Sequence, residues 1–181
     1  MSALGAAVDT LAAAGGGTSF VDWSSCLLWG LVASLALVGT METAQSAGVS
    51  RLSIPFMLGT AWTLDRDRAR IFGLAGIVVT GWIFAFFYAW GFEELGRATW
   101  WIGALAGAFH GALMLTVAMP VLANVHPNMA TERQGPTATR WLQPPGFLAL
   151  NYGRRAPLIA LVAHVIYGTI LGTFYTLVGA P

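Results

Sequence analysis

The residues of this chain best suited to chemistry are two histidines, His110 and His164, set deep inside long apolar runs. A titratable side chain inside a membrane is costly and normally points away from lipid. Successive helical residues turn by about 100°, which sets His110 about 20° from Gly103 and about 60° from Gly107. The same turn sets His164 about 40° from Gly168 and about 20° from Tyr175. The stripes Gly103, Gly107, Gly111 and Gly168, Gly172 let helices approach closely, so both imidazoles are expected to face other helices. At about 1.5 Å of rise per residue, His110 lies about 17 Å and His164 about 21 Å from one end of their runs. The spacing predicts two imidazoles facing each other near mid-membrane.

Three chemistries suit such a pair. In the first, each histidine only hydrogen-bonds a neighbouring helix, through Thr80, Thr116, Tyr88 or Tyr167. In the second, the pair ligates a b-type haem, with the glycines making room for the macrocycle. Only Arg97, at the edge, is then available for the propionates. In the third, His110 and His164 form a proton or ion path with Glu42. A zinc or copper site needs a third ligand at matching depth, and Glu42 sits too near one end to supply it. The expectation is no cofactor, with haem b as the alternative.

The other polar groups lie near the ends of the runs. Glu42 is within the last turn or so of the first run and is expected to pair with Arg51 or Arg155. His126, between Val125 and Pro127, reads as an interfacial or capping residue, and Tyr88 and Tyr175 as buried or interfacial polar groups. A basic cluster, Arg66, Arg68, Arg154 and Arg155, is suited to lipid phosphates, although membrane topology alone accounts for it. Phosphate loops, nucleophile elbows and paired zinc histidines are absent, so no enzyme activity is expected. The lone Cys26 excludes an intramolecular disulfide.

These groups need elements to hold them. With 56% hydrophobic and 9% charged residues and a mean hydropathy of +0.67, the chain has too little charge to cover a water-facing surface; soluble domains carry about 25%. A net charge of +1 gives no basic field for nucleic acid. Spanning a bilayer takes roughly 20 apolar residues, and four runs qualify: 23–44, 70–92, 99–125 and 157–178. The predicted fold is an all-α membrane four-helix bundle over 23–181, preceded by a flexible or amphipathic segment, 1–22, with no basic start to mark a cleaved signal.

Arginine sets the orientation. The first long loop carries Arg51, Arg66, Arg68 and Arg70, and the second Arg133, Arg140, Arg154 and Arg155. Both loops are therefore expected in the cytoplasm of a bacterial inner membrane, with both termini outside. Trp23, Trp90, Trp100 and Trp101 fall at the outer ends, Trp62 and Trp141 at the inner. Residues 67–88 align without gaps on 154–175, matching Arg68/Arg155, Ala69/Ala156, Gly81/Gly168, Phe87/Phe174 and Tyr88/Tyr175. This reads as a tandem duplication of a helix–loop–helix unit, two parallel copies about an axis along the membrane normal. The counterpart of His164 is Ile77, so the histidine pair is no relic of symmetry.

The loops contain apolar patches, Ile54–Leu58 and Phe147–Leu150, beside arginine. They are expected to lie on the membrane surface or fold under the bundle. The stretch HPNM…GPTA…PPGFLALNYGRRAPL…HVIYG resembles a pattern recurrent in uncharacterised small four-span membrane proteins of bacteria. That resemblance implies no activity, only that the second loop is more than a linker. The first functional expectation is a packing or accessory subunit of a membrane complex or homo-oligomer. The bilayer and other membrane subunits are its partners. A haem electron carrier and a small proton- or ion-coupled transporter are the alternatives, Pro120 being the one interior proline that hints at a broken helix.

Overall fold

The computed structural model describes residues 20–178 except 132 and 134; most of the expected N-terminal segment lies outside them. The elements are α1 (Trp23–Ser46), α2 (Ile54–Gly59), α3 (Arg66–Leu95), α4 (Trp100–Leu113), a π-helical turn (Met114–Ala118), α5 (Met119–Val125), a 3-10 turn (Phe147–Tyr152) and α6 (Ala156–Phe174). Among the described residues α1, α3, the unbroken run from α4 through α5, and α6 are long and apolar enough to cross a membrane. The fold is therefore the expected all-α bundle of a multi-pass membrane protein.

Local chemistry sets the helix ends. Asp22 caps α1 by accepting from Ser25 N at 3.0 Å, and Asp65 caps α3 by accepting from Arg68 N at 2.9 Å. Gly96, at φ +63°, ends α3 in the left-handed region that glycine tolerates. Pro157 falls in the first turn of α6. The fourth run stops at Phe174, four residues short of the expected end. Its tail finds other partners: Tyr175 Oη accepts from Asp22 N and donates to Glu93, Thr176 N donates to Ser25 Oγ, and Val178 N donates to Glu93.

Small residues decide which helices touch. On α1, Gly30 and Ser34 meet Ala85 and Gly81 of α3, and Trp82 Nε1 donates to Leu27 O at 2.8 Å. On α4, Gly103 and Gly107 lie directly on the backbone of Gly168, Gly172 and His164 of α6. Trp29 of α1 stacks on Phe174 of α6 at 4.4 Å. In the α1–α3 and α4–α6 pairs, rising numbers on one helix meet falling numbers on the other, so these neighbours run antiparallel. The remaining pair differs: the backbones of α3 and α4 stay apart, and the two helices meet through the side chains of Phe84, Tyr88 and His110. A twofold axis relating hairpin α1–α3 to hairpin α4–α6 would make α3–α4 match the packed pair α1–α6, and at this seam it does not.

The first loop folds under the bundle. Its apolar patch forms α2, which runs antiparallel to the start of α3. Gly59 rests on Ala69 O, and Gly73 rests on Pro55 O. The second loop packs beneath as well: Arg51 donates to Asn151 O, and Arg140 donates to Ala123 O and His126 O at the end of α5.

Candidate functional site

Glycine brings the two expected histidines together. Because Gly107 and Gly111 have no side chains, α6 lies against α4 with His164 Cβ 3.0 Å from where a Cβ on Gly111 would stand. The imidazoles of His110 and His164 meet edge to face, ring centres 4.8 Å apart and planes 78° apart. His110 is 8% exposed. Around it stand Phe84 at 4.1 Å, Tyr88 at 6.0 Å and Tyr167 at 6.0 Å between ring centres.

Hydrogen bonds assign the ring protons. A neutral imidazole has one N–H and one bare nitrogen. His164 Nδ1 lies 2.7 Å from Ala160 O, which can only accept, so Nδ1 carries the proton and Nε2 is bare. His110 Nδ1 lies 3.4 Å from Tyr88 Oη. The Tyr88 hydroxyl has no other acceptor among the described residues, and a buried O–H without one is costly; it donates, and His110 Nε2 carries the N–H. Neither Nε2 has a protein partner among the described residues, and neither is sealed from small molecules. The site thus offers one donor and one acceptor. The sequence-based partners divide accordingly: Tyr88 bonds His110, whereas Tyr167 donates to Gly81 O at 2.6 Å, and Thr80 and Thr116 donate to carbonyls of their own helices.

Both rings line a cavity of about 250 Å³ in the bundle core. Its walls come from α1, α3, α4, the π-helical turn, α5 and α6, and its floor from Leu52, just before α2, and Ile54, Met57 and Leu58 of α2. The π-helical turn precedes Pro120, whose ring cannot occupy a regular helical interior. Such turns are frequent at functional sites. Four methionines, Met41, Met57, Met114 and Met119, face the space; their flexible thioethers adapt to irregular contents.

The remaining expected residues lie elsewhere. Glu42 accepts from Ser53 Oγ at 2.8 Å, and no ion pair to Arg51 or Arg155 forms among the described residues; Arg51 instead holds Asn151 O. Glu42 does not line the cavity. His126 is buried at the arginine-bearing end, donating from Nε2 to Met57 O at 3.0 Å and accepting from Asn128 N at Nδ1. Tyr175 sits at the opposite end, where burial and the Glu93 carboxylate hold its phenol above the usual range. Arg66, Arg68, Arg154 and Arg155 are exposed at the starts of α3 and α6. Sequence reasoning missed Phe84, the cavity and its methionines, since nothing local marks them.

As they stand, the two rings are closer together than a haem held between them requires. With a metal–nitrogen bond of about 2 Å and a ring radius of about 1 Å, two axial imidazoles hold their centres about 6 Å apart. Here they stand at 4.8 Å. The glycines do not open a slot; they are covered by the facing backbone. No known family pattern, functionally described protein or solved structure matches the chain.

Proposed function

We propose that this membrane protein binds a small lipophilic molecule in the core of its bundle, near His110 and His164. The observation that carries this reading is an apolar cavity of about 250 Å³ lined by two imidazoles whose hydrogen bonds among the described residues are made at Nδ1. Small-molecule sites are largely apolar with a few convergent polar groups. The distribution of arginine and tryptophan supports a bacterial inner-membrane location with the arginine-bearing loops cytoplasmic. The residue matches between 67–88 and 154–175 support descent from a duplicated hairpin. A packing or accessory role draws less support than the sequence alone suggests. Gly103, Gly107, Gly168 and Gly172 are covered within the chain and are not left for a partner.

Thermal unfolding in detergent with and without benzene or cyclohexane tests the binding reading. A ligand at 100 times its Kd stabilises by about 2.7 kcal/mol, so the wild type gains several degrees. Ala160→Phe and Met114→Trp, which fill the cavity, lose that gain while remaining folded. No gain in the wild type, or an equal gain in the filled variants, overturns it.

A further inference from the structure

We infer that the occupant of this site is a single-chain lipid with a neutral O–H head, an alcohol or an undissociated carboxylic acid, whose tail lies in the open seam between α3 and α4. The inference rests on the core being a binding cavity and adds the ligand's class and its route. The seam is a groove of about 320 Å³ lined by side chains that include Phe87, Phe92, Ile102, Ala106 and Phe109. Phe109 is 72% exposed and Leu105 on the same helix 64%, so this face borders lipid. Gly91, in the groove wall, has nothing within 4 Å of where a side chain would begin.

Two residues, Phe84 and His110, line both the groove and the core cavity. Their rings, 4.1 Å apart, are the partition between the two spaces. A chain lying in the groove therefore ends against His110. His110 offers its N–H at that partition. His164, which lines the core cavity behind it and not the groove, offers a bare nitrogen to a head that passes between the two rings. A hydroxyl oxygen satisfies both, accepting from the first and donating its proton to the second. An ether lacks the proton. A carboxylate, sulfate or ammonium head brings a charge, and no charged side chain lines either space to balance it.

The experiment uses the full chain in liposomes and three photoreactive probes of equal chain length: a long-chain alcohol, its methyl ether and the alkyl sulfate. Crosslinked peptides are mapped by mass spectrometry. The alcohol is expected to label residues lining the groove and to be competed by unlabelled alcohol or by fatty acid at low pH. The ether and the sulfate are expected to label about tenfold less, the effect of one unsatisfied buried hydrogen bond. His164→Leu removes the acceptor and erases the preference for alcohol over ether. Ala106→Trp fills the groove and abolishes labelling while leaving stabilisation of the core by benzene intact. Equal labelling by alcohol and ether, or an undiminished preference in His164→Leu, overturns the inference. If benzene still stabilises the wild type in that case, the core cavity stands and only the ligand class and route fall. If benzene does nothing either, both readings fall together.

Discussion

At the scale of single residues, the three histidines separate by the state of their second nitrogen. His126 has both nitrogens satisfied, one donating to Met57 O and one accepting from Asn128 N, and it is 3% exposed. Burial, and then the nearby Arg140 cation, hold its imidazole below the usual range, against the opposing pull of Met57 O. The unfolded chain therefore takes up a proton near the ordinary value of 6.5 before the folded chain does. Stability from the neutral ring is complete above that value and is lost as pH falls toward the lower folded-state value. We predict that acidifying from about pH 7.5 to about pH 5.5 lowers the melting temperature and speeds amide exchange around 57–63. His126→Gln, which cannot titrate, flattens that dependence, and an unchanged slope in the variant contradicts the assignment. The place of His126 before a proline at the end of an apolar run is legible in sequence. Its partner is not, because Met57 lies 69 residues away. Likewise the inward-facing imidazoles follow from the glycine stripes, but the proton on each ring follows only from Ala160 O and Tyr88.

At the scale of elements, glycine separates the packed seams from the open one. A Cβ on Gly168 falls on Gly103 O, so Gly168→Ala forces α4 and α6 apart at a cost of about 1–3 kcal/mol. Gly91→Ala adds its methyl to empty space and is expected to be neutral or slightly stabilising. Chemical unfolding in detergent compares the two directly, and equal losses would refute the seam assignment. The regular four-residue glycine spacing makes the α4–α6 seam readable from sequence, since close backbone approach has no other common cause. The α3–α4 gap is unreadable, because apolar faces that meet lipid and apolar faces that line a groove have the same composition. The apolar patch Ile54–Leu58 was expected under the bundle or on the membrane surface. Its antiparallel course along α3 depends on Gly59 and Gly73, whose partners are backbone carbonyls with no sequence signature.

At the scale of the molecule, four long apolar helices and two loops packed beneath them surround a cavity of about 250 Å³. Interiors are normally close-packed, and an apolar space of this size is what the proposed guest would fill. Helix number is the most legible property of this chain, because hydropathy reads bilayer thickness directly. The cavity is the least legible, because it is made by residues from all six α-helices and the π-helical turn that meet only in three dimensions. The central claim is that the core is occupied in the cell. Native mass spectrometry of the protein released from its own membrane in a mild detergent, beside Ala160→Phe, tests it most directly. The account predicts a bound lipophilic species on the wild type that is missing from the filled variant. Identical spectra for the two proteins, with or without bound lipid, would contradict it.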